Sequence, residues 1–473
     1  MNGYECVIGL EVHVELNTDT KAFCTCKTDF AAPPNTRTCP VCLGHPGALP
    51  VFNKEVLNKG IAVGLALNCE IQEYSRFDRK NYFYPDLPKG YQITQFYQPL
   101  CRNGYLTVDA PEGEKRIGIT EIHIEEDAGK LTHRDNITEI DCNRCGVPLL
   151  EIVSEPDMRS ADEARDYLKK LRSLILFTGA SDCKMNEGSM RCDVNISVRK
   201  KGDTDLGTRT EIKNLNSFKF ASRAIEYEFI RQCKVLESGK MVERQTMRFD
   251  PNTGTTSPMR TKEDTSDYRY FPEPDLLPLY TSADTVEKIR KSLPPLPGQL
   301  IEEFGEKYGI PEKDSVLLTE TPELASFFKE AASTTEYPKT VANMILSDIP
   351  AMGEKDDWQK TEPRSLARLA QLFGTGNITS ATVKKLLRRL LTEKLDIDET
   401  VAREKLLCIN DEKLISEYIE EAVKALPAAV ADYKKGKKTA STAIMGKAMG
   451  AGGGRLNPEK LRRLLTEYLD GLE

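Results

Sequence analysis

From residue 6 to residue 16 every even position is apolar: Cys6, Ile8, Leu10, Val12, Val14 and Leu16. The odd positions from 9 are Gly9, Glu11, His13 and Glu15. Successive side chains of a strand point to opposite faces. This period of two therefore predicts a strand with one face to be packed and Glu11, His13 and Glu15 together on the other. The same alternation sets Ile122 and Ile124 against Glu121, His123 and Glu125, and Leu150 and Ile152 against Glu151. It also sets Val194, Ile196 and Val198 against Asp193, Asn195 and Ser197, while Arg209 to Lys213 carries Glu211 between two basic residues. One such strand is an ordinary solvated sheet face. Carboxylates gathered on neighbouring strands would repel and shift their pKa values upward unless a cation neutralises them. Oxygen donors with a few nitrogens suit Mg2+, which keeps waters and bridges to substrate phosphates. Strand order is not readable at this level, so the solvated face and the functional acidic cluster both stay open.

The strand-rich character runs to about residue 290, with Gly, Pro, Asn and Asp turns between short segments. Leu293-Pro294-Pro295-Leu296-Pro297-Gly298 then reads as a linker. Beyond it the pattern is helical, as in Ala381–Leu391, and a second helical segment starts near Asn410, broken by Gly436 and by Gly450–Gly454. The expected fold class is α+β. A mostly antiparallel-sheet domain (1–293) precedes an all-α connector (294–405) and a small α-helical tail domain (406–473). A length of 473 residues fits several domains rather than one core.

Thirteen cysteines, an odd number, argue for reduced thiols rather than a disulfide framework. Cys24-Thr25-Cys26 and Cys39-Pro40-Val41-Cys42 form two close pairs separated by a short loop with Pro33, Pro34 and Asn35. Four thiolates so arranged suit one tetrahedral Zn2+, and a site filled by four protein ligands is structural. Cys142 and Cys145 make a lone half-site and are assigned no role. The N-terminus runs straight into patterned sequence and no apolar run approaches the ~20 residues of a membrane helix, so the expectation is a cytoplasmic protein without a membrane association.

Arg76 to Gln92 is dense in aromatic, basic and proline residues and reads as a shaped loop. Its Arg79, Lys80 and Lys89 are candidates to meet phosphate or the charge that develops during phosphoryl transfer. Neither a P-loop nor a strand-following G-x-G-x-x-G is present, and no Ser-Lys amidase signature appears. A net charge of -7 excludes a uniformly basic nucleic-acid binder. From Lys434 to Arg463, however, nine basic residues meet only Glu459, a local net of +8. They include Lys434, Lys435, Lys437, Lys438, Lys447 and Arg455, and this one-sidedness favours a nucleic-acid contact over a solvated helix face.

Several segments in order along the chain resemble the B-subunit family of the bacterial and organellar tRNA-dependent amidotransferases. They are Gly9–Leu16, Arg79–Gln92, Ile124–Lys130, Glu151–Asp157, Arg191–Ser197, Glu211–Phe218 and Asp267–Asp275. The chain has no room for the large insertion of the archaeal homologue, so the heterotrimeric form is the nearer likeness. The resemblance implies a cradle-shaped catalytic domain, a helical domain and a tail that touches tRNA. It implies that Glu11, His13, Glu125, Glu151, Asp193 and Glu211 surround Mg2+ and ATP, with Lys80 near the phosphates. It matches the family's zinc cysteines to Cys24, Cys26, Cys39 and Cys42. The implied activity is that of a carbon–nitrogen ligase: ATP phosphorylates the side-chain carboxylate of mischarged Glu-tRNA(Gln) or Asp-tRNA(Asn), and ammonia completes the amide. The implied partners are an amidase (A) subunit that releases ammonia from glutamine, a small C subunit and mischarged tRNA. Two other readings fit the bare residues: a non-catalytic zinc-containing tRNA-binding protein, and a stand-alone metal hydrolase built on His13 and Glu11.

Overall fold

In this computed structural model, which describes residues 3–259 and 268–472, the alternating N-terminal segment is the strand Tyr4–Glu15. It is the central strand of a nine-stranded sheet. From one edge the order is Thr255–Pro258, Gln245–Asp250, Thr210–Leu215, Met190–Lys200, Tyr4–Glu15, Pro148–Ser154, Gly113–Glu126, Cys101–Ala110 and Glu70–Ile71. Neighbours are antiparallel except Thr210–Leu215 and Gln245–Asp250, which run parallel. With helices alongside this sheet and beyond it, the α+β class expected from the alternation is the one observed.

The apolar face of the central strand is the heart of the core. Cys6, Ile8, Leu10, Val12 and Val14 are all buried, and they share one cluster with Tyr167, Leu168 and Leu171 of the helix Ala161–Thr178. Ala224 and Ile225 of Phe218–Glu237 and Val56 and Ile61 of Lys54–Ala66 join the same cluster. Burying each of the larger aliphatic side chains contributes about 1.5–3 kcal/mol. All three helices begin with a side-chain cap: Asn53, Ser160 and Ser217 accept from Glu55, Glu163 and Phe220 backbone N–H groups. With one face packed in this way, the polar alternates of the strands are left on the other face.

Part of the segment read as a loop is a strand. Asp78–Asn81 lies in the middle of a three-stranded sheet between Tyr91–Thr94 and Phe271–Pro272. No apolar alternation announces it, because polar contacts hold it. Buried Asp78 accepts from the N–H groups of Phe96 (2.9 Å) and Tyr97 (3.0 Å), and Arg79 pairs with buried Glu273. Residues 82–90 that follow carry no regular strand or helix.

The chain forms two compact units, Met1–Leu296 and Pro297–Glu473. The second is helical, and helices at Pro322, Pro338, Pro363, Pro427 and Pro458 each start on proline, whose fixed φ suits the first helical turn. The expected helix at Ala381–Leu391 is Ser380–Leu390. Within this unit Ile415 and Ile419 of the helix Glu412–Ala425, Ile444 of Ser441–Ala451 and Leu461 and Leu465 of Pro458–Asp470 build a separate core with Leu456, which precedes the last helix.

Candidate active site and metal centres

Strand register draws the acidic residues together. His13 lies opposite Glu151 on one neighbouring strand and opposite Arg191 on the other, and Glu11 lies opposite Asp193. Glu151 in turn faces His123, and Asn195 faces Glu211. Directly opposed residues share a sheet face, so one face collects them all. Two groups result. Donor atoms of His13, Glu125 and Glu151 all lie within 4.8 Å of one another, and so do those of Glu11, Asp193 and Glu211. His13 Nε2 is 3.5 Å from both Glu125 Oε1 and Glu151 Oε2, and His123 Nε2 is 3.0 Å from the same Glu151 oxygen.

This crowding changes the acidities. Burial, reinforced by the charge of Glu151, raises the pKa of Glu125 and of Glu11. Burial also opposes charge on Glu151, yet His123 and His13 beside it hold its carboxyl well below the usual carboxylate range. Burial disfavours protonated His13 and His123, but the carboxylates around them outweigh it: Glu151 and Glu125 raise His13, and Glu151, Glu121 and Glu125 push His123 up to about 10. In the second group Lys213 Nζ sits 3.3 Å from Asp193 and 2.9 Å from Glu211. Asn195 donates to Glu11 at 2.7 Å, and its own Oδ1 is buried without a partner among the described residues. A buried amide oxygen needs a donor or a cation to face. That oxygen, beside the carboxylates of Glu11 and Glu211, fits the donor chemistry of Mg2+.

His123, Asn195 and Lys213 were not among the residues assigned to the site from sequence. The signal was there for two of them, since His123 and Asn195 occupy the same polar alternates as Glu125 and Asp193. Lys213 gave only its nearness to Glu211.

Of the three candidate cations of the Arg76–Gln92 segment, Arg79, Lys80 and Lys89, two are held elsewhere. Arg79 grips Glu273 through Nε (2.7 Å) and Nη2 (2.9 Å) and reaches Asp275 at 3.0 Å, while Lys89 pairs with Glu126. Both are engaged in ion pairs that hold the local fold, where the expectation had given them to phosphate. Lys80 differs: its ammonium lies 5.0 Å from the Tyr268 ring centroid, and its charge acts on Glu125 to lower that acid's pKa against the larger effect of burial. Beside the site Asp127 accepts from Arg144 at 2.6 Å and Arg191 at 3.0 Å, and Arg144 also pairs with Glu15. Asp267 of the Asp267–Asp275 motif lies outside the described residues.

The four paired cysteines form a third group, with donor atoms of Cys24, Cys26, Cys39 and Cys42 within 4.8 Å of one another. The Cys42 and Cys39 sulfurs are 3.9 Å apart, and Cys42 accepts from the Cys39 N–H at 3.2 Å. The hydrogen bond with Cys24 pulls the Cys42 thiol down to about 4, and the same bond drives Cys24 far up. An all-sulfur donor set of this size fits Zn2+. Cys142 and Cys145 are outside the group, but their turn packs on its loop: Cys142 N–H donates to Asn35 and Arg37 N–H donates to Asn143, each at 2.8 Å.

In the tail Lys434, Lys435, Lys437, Lys438, Lys447 and Arg462 are exposed. The other three basic residues are partly engaged. Arg455 donates to the Lys405 carbonyl (3.0 Å), Lys460 to the Asn410 carbonyl (2.9 Å), and Arg463 pairs with Glu412 (2.6 Å).

Comparison with known proteins places the chain in a family. The GatB/GatE catalytic domain model matches residues 6–287, and the GatB domain model matches residues 326–469. The B subunit of the aspartyl/glutamyl-tRNA(Asn/Gln) amidotransferase of Agathobacter rectalis is 48% identical over 99% of this chain and 100% of its own length. The B subunits of the same enzyme from Carboxydothermus hydrogenoformans and Thermotoga maritima are each 46% identical over 99% of both chains. With both domain models matched in order and relatives aligned end to end, the chain belongs to the GatB family, the B subunits of aspartyl/glutamyl-tRNA(Asn/Gln) amidotransferases.

Proposed function

We propose that this chain is the subunit that activates the side-chain carboxylate of mischarged Glu-tRNA(Gln) or Asp-tRNA(Asn) with ATP and converts it to the amide. The observation that carries this reading is the gathering of His13, Glu125 and Glu151 beside Glu11, Asp193 and Glu211 on one sheet face. A carboxylate is a poor electrophile because it has no good leaving group. In the proposed sequence its oxygen attacks the γ-phosphorus of ATP, the bond to ADP breaks, and phosphate becomes the leaving group. Ammonia then attacks the acyl carbon, phosphate departs with the electron pair of the C–O bond, and the nitrogen loses a proton. Mg2+ held by Glu11, His13, Glu125, Glu151, Asp193 and Glu211 would offset the charge of phosphates and carboxylates. His123 and Asn195 orient Glu151 and Glu11. Lys80, the cation acting on Glu125, would steady the transferring phosphoryl group. Cys24, Cys26, Cys39 and Cys42 would hold a structural Zn2+.

The names of the relatives support a multi-subunit assembly; in this reading an amidase A subunit would supply ammonia and a small C subunit would complete a trimer. The exposed tail lysines would position the tRNA. Among the described residues no helix is long and apolar enough to cross a membrane, and the reading places the work in the cytoplasm. The test is amide formation on charged tRNA by the co-expressed complex. Glu125→Ala should lose ATP-dependent amidation by at least about 100-fold, as expected when electrostatic stabilisation of the transition state is removed, while the partner still hydrolyses glutamine. Normal amidation by that variant would refute the site. Turnover without ATP or partner would instead indicate a hydrolase.

A further inference from the structure

Lys21 is completely buried, with 0% of its surface exposed. Lysine almost never sits so deep unless its charge is paired, and an uncompensated buried ammonium is strongly unfavourable. Its ammonium donates to the Arg37 carbonyl at 2.7 Å and the Cys142 carbonyl at 3.4 Å, and reaches the Cys42 sulfur at 3.6 Å. Two of these partners are neutral carbonyls. The third is a sulfur of the four-cysteine group.

We propose that Lys21 is the charge-balancing residue of the cysteine site, and that it clamps the Cys142–Cys145 turn against that site as an outer wall. The inference rests on the zinc reading. Four thiolates around a divalent ion carry a net charge of about −2, and a buried ammonium beside one sulfur offsets part of it. This gives the Cys142–Cys145 turn a role that its spacing did not disclose. The turn contributes a backbone carbonyl to Lys21, not a sulfur to the metal. It is held in place by Asn35 and Arg37 from the cysteine loop. From the same turn Arg144 reaches Asp127 and Glu15 at the edge of the acidic face, so the clamp joins the cysteine loop to the sheet that bears the candidate active site.

The experiment measures zinc per chain, the rate of zinc transfer to a chromogenic chelator, and the sulfur-to-cobalt absorption band of Co2+-substituted protein. Lys21→Gln keeps a hydrogen-bond donor in the cavity and removes the charge; Lys21→Met removes both. Wild type should hold one zinc. Lys21→Gln should hold it roughly 10- to 100-fold more weakly, the usual effect of losing an outer-shell partner, and release it correspondingly faster. Its cobalt band should move to lower energy, because the thiolates lose a neighbouring positive charge. The double variant Cys142→Ser/Cys145→Ser should release zinc at the wild-type rate. If Lys21→Met fails to fold, Lys21→Gln still decides the matter. Unchanged release and an unmoved band in Lys21→Gln would reduce Lys21 to a packing residue and overturn the inference. Zinc loss from the double serine variant would make those cysteines ligands and overturn the assignment of the turn. A wild-type protein without zinc would remove the underlying zinc reading itself, which separates that failure from the failure of Lys21.

Discussion

At the scale of single residues, the candidate site is a balance of like charges held by a few cations. Glu11, Asp193 and Glu211 approach one another closely, and the ammonium of Lys213 lies against two of them. Burial and neighbouring acids raise the pKa of Glu11, whereas at Glu211 burial is outweighed by Lys213 together with Thr246 and Arg209, and the pKa is lowered. Lys213→Met should therefore leave three carboxylates facing one another without a counter-ion. We expect its melting temperature in EDTA to fall by on the order of 2–4 °C, with most of the loss recovered in millimolar MgCl2. Thermal scans of both proteins with and without Mg2+ measure this. Equal melting temperatures in EDTA would show that the acids need no internal cation. The sequence was legible here in one respect: the polar alternates named which side chains share a face. It was silent on Lys213, because an ion pair between adjacent strands depends on register, and local spacing does not encode register.

Among the elements, the Tyr4–Glu15 strand and the Asp78–Asn81 strand form for opposite reasons. The first is written in its hydrophobic alternation, with each even side chain from 6 to 14 buried. The second has the sequence Asp-Arg-Lys-Asn, and it is a strand because Tyr91–Thr94 on one side and partners nearly 200 residues away on the other complete it. Arg79 Nε lies 2.7 Å from Glu273, whose side chain is 0% exposed. Arg79→Met strands that carboxylate, and breaking a buried pair from one side costs about 3–5 kcal/mol. We expect a loss near the lower end, since Arg79 itself is partly exposed, read as a lower denaturant midpoint for the first unfolding transition. The ATP affinity of any folded fraction should stay within about twofold, a shift worth only some 0.4 kcal/mol, because this guanidinium is engaged by Glu273 and Asp275. A large drop in ATP affinity with unchanged stability would return Arg79 to the phosphate-binding role first expected of its loop.

Over the whole molecule, charge is segregated: the chain carries a net of -7 while Lys434–Arg463 carries +8. The structure leaves six of those cations exposed and outside the contacts of Arg455, Lys460 and Arg463, and one of the six, Lys437, lies 3.5 Å from Asp432. Backbone contacts position a nucleic acid without reading its sequence. Replacing Lys434, Lys435, Lys437 and Lys438 with Ala should therefore raise KM for charged tRNA and leave ATP binding alone. Each lysine–phosphate pair so removed should lower the log-log salt slope by about 0.7–0.9, and Lys437 should count for less than the others. Affinity across a salt series measures it, and identical slopes would make the segment a solvated helix face. The molecule as a whole also shows where sequence reasoning stops. Periodicity and spacing by themselves determined the α+β character, the faces of the strands, the cysteine grouping and the basic tail, because each depends on neighbours within a few residues. Only the tertiary structure decided that Pro148–Ser154 and Met190–Lys200 flank Tyr4–Glu15, that Lys80 rather than Arg79 or Lys89 acts on Glu125, and that Lys21 is buried against Cys42. Strand order and ion-pair choice arise from backbone hydrogen bonds and desolvated charges between distant segments. Those energies exist only once the chain has brought the segments together.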